Sequence, residues 1–311
     1  MSIDKKCAPG KVYKDGSCLS DESLKKIILN YNKKNKDKIN INLPRKELVT
    51  ILERKLSNVC NEQTCWLKLD LVQELEDKFK EDVEENTFRP KGPAKKYEWL
   101  STTHINEVIE QYQNVHKNFI FLGAVPYDFE DLAVLGIHDL NFDTLIKDGK
   151  TKIGLVINLD NHDQGGSHWV SLFADLEKSQ VYFFDSVGQP PRKRIRKFIN
   201  RIVKFLYHKK YNTKLQINDT INTIKSMQKL SEKEKYKQLT SSKYLKNLLD
   251  GSFDIKYNTK QHQFRNSECG VYSINFIVRL VNGEPYTSIV ENITKDEEMN
   301  KFRKEYFRNV N

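Results

Sequence analysis

The sequence predicts an α+β protein, a small helical N-terminal domain followed by a catalytic-type domain of alternating strands and helices, on three observations. Apolar residues recur at helical spacing through roughly the first 90 positions. A charged stretch at 81–96, carrying Pro90, Gly92 and Pro93, then breaks that pattern. Beyond it come short apolar runs rich in β-branched and aromatic residues, separated by turn residues. The expected domains are residues 1–90 and 91–311.

In the first domain Ser20 is the expected N-cap of a helix. Asp21 and Glu22 complement the dipole in its first turn, and Leu24, Ile27, Ile28 and Tyr31 share one face. Pro44 opens a second helix with Leu48, Ile51, Leu52 and Leu56 on its apolar side. Leu67, Leu71, Leu75 and Phe79 predict a third. In the second domain KIGLVINLD, HWVSLFADL and QVYFFDSVG read as strands, and LEKSQ (176–180) as the turn folding one back on the next. RKRIRKFINRIVKFLYHKK reads as a basic amphipathic helix, 212–255 as polar and mostly helical, and 270–282 as a buried helix.

With 38% apolar residues, 16 Phe and 14 Tyr, the chain can build a real core. The net charge of +10 favours anionic partners, although a solvated Lys-rich surface accounts for it equally well. No apolar run reaches the roughly 18 residues of a membrane span. MSIDKKCAPG lacks the apolar segment of a secretory signal, so neither a membrane partner nor secretion is expected. Five cysteines, an odd number, argue against a disulfide scaffold and for a reducing compartment. Cys7, Cys18, Cys60 and Cys65 all fall in the first domain. Their spacing is looser than paired CxxC knuckles, so no metal is assigned and buried, reduced thiols are expected. A structural zinc, or a disulfide formed late in an oxidising setting, are the alternatives.

QHQFRNSECGVYSINFIVRL (261–280) places Cys269 at the mouth of an apolar run. A thiol is a useful nucleophile only as thiolate, which calls for a histidine base and a group to orient it. A helix start adds free N–H groups and the positive dipole end. Gly270 leaves the approach to the Cys269 N–H, half of an oxyanion hole, free of a side chain. The amide of Gln263 is the candidate for the other half. Among the 7 histidines, His168 stands out, because a Gly-Gly turn delivers it to the start of a strand facing an open cleft. His162 lies in a polar loop. Asp185 ends the next strand, 17 residues on, and a hairpin would bring it to His168. Its plainer reading is a turn opener.

This order, HW, then D, then Q-x5-C-G, resembles the adenain and Ulp1-like cysteine protease clan, and EWLSTTHINEVIEQY is similar to the segment that opens the clan's catalytic domain. The resemblance implies a papain-type fold, a small mixed sheet flanked by helices. It implies Cys269 as nucleophile, His168 as base, Asp185 as its orienter and Gln263 as oxyanion donor. Trp169 and Trp99 match tryptophans that clamp a channel for a Gly-Gly substrate strand. The likeness extends through CLSDESLKKI, FLGAVPYDFEDL and ITKDEEMNKFRKEYFR to the polyprotein-processing proteases of large DNA viruses, African swine fever virus among them. It departs at Asp185, where the swine-fever enzymes carry an amide, and at about 212–250, which looks like a lysine-rich insertion.

The implied protein is a viral endopeptidase that cuts structural polyproteins after Gly-Gly during virion assembly and maturation. A monomer without cofactor is expected, acting in the virion and the host cytoplasm. Two alternatives use the same residues: an isopeptidase for SUMO or other ubiquitin-like conjugates, and an acetyltransferase of the same triad topology, which needs a pocket for acetyl-coenzyme A. Arg192, Lys193, Arg194, Arg196, Lys197 and Arg201 form a candidate DNA-binding stripe, implied by the use of DNA among adenain-like enzymes. A solvated face is its plainer reading.

Overall fold

The computed structural model describes residues 5–211 and 251–309. The segment 212–250, read as a helical insertion, lies outside the described residues. The chain groups into two compact units: Met1–Glu98 with Glu110–Val115 and Lys301–Asn311, and Trp99–Ile109 with His116–Asn300.

The first unit is helical. In α1 (Asp21–Lys34) the Ser20 hydroxyl caps the Ser23 N–H at 3.0 Å, and Leu24, Ile27, Ile28 and Tyr31 are buried. α2 (Arg45–Leu56) has Pro44 at its cap and buries Leu48, Val49, Leu52 and Leu56. The expected third helix is three short ones: α3 (Gln63–Trp66), α4 (Asp70–Gln73) and α5 (Asp77–Asn86), divided where Leu69 and Glu76 leave the helical region. At the first break the Gln73 amide donates to the Leu67 carbonyl at 2.8 Å. The breaks let Trp66, Leu71 and Val72 join one core with α1 and α2.

The cysteines correct the expectation of reduced thiols. Cys7 is disulfide-bonded to Cys18 and Cys60 to Cys65, while Cys269 is free. The odd count misled because the unpaired sulfur belongs to the other unit. A small helical core gains from such staples, since it buries a smaller share of its surface than a larger one does.

The second unit takes residues 102–109 of α6 (Thr102–Val115) and then runs β1 (Phe119–Val125), α7 (Phe142–Lys147), β2 (Lys152–Asn158), β3 (Trp169–Asp175), β4 (Gln180–Phe184), α8 (Lys193–Tyr211), β5 (Asp254–Tyr257), α9 (Cys269–Val281), α10 (Tyr286–Glu291) and α11 (Asp296–Lys301). The short α12 (Arg303–Tyr306) falls in the first unit. The strands form one mixed sheet in the order β1-β2-β3-β4-β5, parallel at its two outer pairs and antiparallel between β2 and β3 and between β3 and β4. The architecture is thus α+β. The three runs read as strands are β2, β3 and β4, and β1 and β5 went unread. Residues 254–255, read as helical, belong to β5.

Alternation sorts the sheet's two faces. Ile153, Leu155, Val170, Leu172 and Phe183 share a core with Ile195, Phe198 and Ile202 of α8. The opposite face receives α9, buried along nearly its whole length, with Phe276 stacked on Phe184. Gly154 makes this packing close. A Cβ there would lie 2.7 Å from the Phe119 ring and 3.3 Å from Ile277. No helix among the described residues is long and apolar enough to cross a membrane.

Candidate active site

The hairpin of β3 and β4 decides where the chemistry gathers. Ser171 pairs with Phe184, so His168, just before β3, and Asp185, just after β4, share one end of the sheet. His168 Nε2 and Asp185 Oδ1 are 2.7 Å apart. The turn into His168 passes through Gly166 at φ 83°, a conformation open to glycine. Asp185 Oδ1 also accepts the Val187 N–H at 2.9 Å, so turn opening and the histidine contact coexist. The Asn258 side chain brackets the Asp185 backbone, accepting its N–H at 2.9 Å and donating to its carbonyl at 2.6 Å.

Cys269 begins α9, as expected, and is buried. Its N–H is among the donors that a helix start leaves without an intrahelical partner. Asp185 hydrogen-bonds the His168 ring, and Cys269 acts on the same ring electrostatically. Burial opposes a charged imidazole, but Asp185 and then Cys269 outweigh it and raise His168 to about 9. Gln263 is buried, with Oε1 at 2.6 Å from Ser186 Oγ and Nε2 donating to the Arg265 carbonyl at 2.7 Å. Neighbouring His262 is buried against Val290 O at 3.2 Å, and burial lowers its pKa.

Trp99 and Trp169 line a cleft of about 520 Å³ together with His168, Gly165 and Gly166. Trp99 is 46% exposed, whereas Trp169 is buried and its indole N–H donates to Leu100 O at 3.0 Å. A Cβ at Gly270 would stand 2.9 Å from Leu100 Cβ, so the missing side chain makes room for the segment after Trp99. His162 lines the same cleft, and Asp128 binds its Nδ1 at 2.6 Å and its N–H at 2.9 Å. That hydrogen bond raises the His162 pKa.

The six basic residues lie at Arg192 and along α8, but their charge is partly used. Arg194 pairs with Asp131, and Lys197 and Arg201 pair with Glu130 at 3.7 and 2.9 Å. Arg192 donates to Leu159 O at 3.1 Å and Arg196 to Pro191 O at 3.0 Å. Lys193 lines a groove with four of the others and Glu130. Among the described residues, no cluster of three or more His, Cys, Asp or Glu is placed to hold a metal.

Residues 150–311 match the family model described as Ulp1 protease family, C-terminal catalytic domain. The chain is 33% identical over 281 residues to thiol protease R355 of Acanthamoeba polyphaga mimivirus, an alignment covering 90% of this chain and 80% of that protein. It is 23% identical over 300 residues to African swine fever virus proteins named cysteine protease S273R and SUMO-1 cysteine protease S273R, covering 88% of this chain and 92% of theirs. The crystal structure of the African swine fever virus pS273R protease is similar in fold, with a TM-score of 0.60 at 21% identity over 99% of this chain and 97% of that one.

Proposed function

The chain belongs to the Ulp1 protease family and is a cysteine protease, and from that premise we propose a viral endopeptidase that cuts structural polyproteins after Gly-Gly pairs during virion assembly, in the virion and the host cytoplasm. One observation carries the reading: His168 and Asp185 are 2.7 Å apart at one end of the sheet, and Cys269, at the start of α9, acts on the same ring.

In the proposed cycle Cys269 passes its proton to His168 and attacks the scissile carbonyl carbon. The oxyanion accepts from the Cys269 N–H and from Gln263 Nε2. The imidazolium protonates the leaving amine as the C–N bond breaks, leaving a thioester. His168 then takes a proton from water, whose oxygen attacks the thioester and expels the thiolate. Asp185 orients the ring and stabilises its charged form throughout. Selection of glycine rests on the half-exposed Trp99 at the cleft wall. A Cβ on either residue before the cut would meet an aromatic face, and glycine adopts the extended backbone freely. The name SUMO-1 cysteine protease, borne by a relative, favours a second reading, an isopeptidase acting on ubiquitin-like conjugates at the same site.

The test incubates wild type and Cys269→Ala with Gly-Gly-X peptides, their alanine-substituted versions and a SUMO conjugate. The wild type is expected to cut the Gly-Gly peptides and the variant none. Alanine at either glycine should lower kcat/KM by about tenfold or more. Cleavage of the conjugate alone would put the isopeptidase in place of the endopeptidase. Peptide cleavage by Cys269→Ala would remove the mechanism.

A further inference from the structure

Resting on Gln263 as the proposed oxyanion donor, we infer that Ser186 is a positioning residue that keeps the Gln263 amide the right way round, and that Asp296 anchors the same loop. The two ends of an amide are alike in shape, but only the nitrogen donates. The Arg265 carbonyl accepts only, so the end 2.7 Å from it is Nε2. The other end, 2.6 Å from Ser186 Oγ, is therefore Oε1, and the hydroxyl donates to it. Nε2 carries two hydrogens; Arg265 takes one, and the second is the donor the reaction requires. Ser186 is 1% exposed and Gln263 3%, so bulk water does not replace the hydroxyl.

The loop's main chain is tied down separately. Gln263 N–H donates to Ser186 O at 2.8 Å. The Phe264 and Arg265 N–H groups both donate to Asp296 Oδ2 at 2.9 Å. The Tyr272 hydroxyl, one turn into the helix that Cys269 begins, donates to Thr294 O at 2.7 Å, two residues before Asp296, and lies 3.1 Å from His262 O and 3.3 Å from Asp296 Oδ1. A single carboxylate thus holds two successive N–H groups of the loop bearing Gln263. Phe264 is 71% exposed, so polar clamps hold this loop and burial of its own aromatic does not. Without the Ser186 hydroxyl, Oε1 is buried with no donor, and the amide gains by turning away.

Ser186→Ala, Asp296→Asn, Gln263→Ala and the double variant Ser186→Ala/Gln263→Ala are compared with wild type in two assays. Peptide hydrolysis passes through an oxyanion, and alkylation of Cys269 by iodoacetamide does not. Ser186→Ala should lose about ten- to a hundredfold in kcat with little change in KM, while alkylating at the wild-type rate. It should add nothing to Gln263→Ala, because both act through one donor. Asp296→Asn, which keeps an acceptor but loses the charge, should show a smaller drop with the same split, and it carries the test if Ser186→Ala does not fold. The inference is overturned if Ser186→Ala turns over like wild type while Gln263→Ala is impaired, or if alkylation slows as much as hydrolysis. Wild-type turnover in Gln263→Ala removes the oxyanion assignment itself, and this inference with it.

Discussion

The imidazole of His168 carries the pH behaviour of the site. Its pKa of about 9 lies above the roughly 6.5 of an unfolded histidine. Its contribution to stability is therefore complete below about pH 6.5 and is lost as pH rises through 9. An NMR titration of His168 should give a midpoint near 9 in the wild type and a lower one in Asp185→Asn and in Cys269→Ala, since each removes one of the partners that raise it. The descending limb of kcat/KM should move to lower pH in Asp185→Asn. A wild-type midpoint at the ordinary histidine value would contradict this account. His168, Asp185 and Cys269 were legible as candidates because each has a distinctive side chain at the end of a strand or the start of a helix, and Gln263 through its spacing from Cys269. Asn258, Ser186 and Asp128 were not. Their partners stand 73, 77 and 34 residues away, and a small polar side chain leaves no periodic trace.

Elements become legible when their period repeats. β2, β3 and β4 alternate over a full strand, and α8 and α9 run through several turns of helical spacing. β5 has four residues, too few to show a period. β1 loses its alternation at the irregularity between Phe121 and Ala124, where Gly123 takes φ 102°. The apolar spacing from Leu67 to Phe79 is helical, yet the backbone leaves the helical region at Leu69 and again at Glu76. Among the glycines, Gly154 has the least room for a side chain. Gly154→Ala drives a methyl into the fully buried Phe119 ring and should cost about 1–3 kcal/mol. The check is a lower urea midpoint of unfolding with an unchanged slope. An unshifted midpoint would mean that α9 has room to move off the sheet.

Charge and sulfur belong to the whole chain. The net charge of +10 pointed to phosphates, but the pairing of Arg194, Lys197 and Arg201 with Asp131 and Glu130 spends part of the α8 stripe internally. We propose that any affinity of this face for duplex DNA is correspondingly modest. Its slope of log K against log salt should be shallower than the about −5 that six phosphate contacts give. Thiol titration of the denatured protein without reductant should count one group per chain, and five after full reduction.

The four joined sulfurs and the lone one impose opposing demands on handling. A strong dithiol bath that protects the nucleophile from peroxide also unpicks the cross-links of the helical unit. Isolation under mild air, followed by a brief and gentle thiol rinse just before assay, is the regime in which both halves of the chain keep the sulfur state each requires.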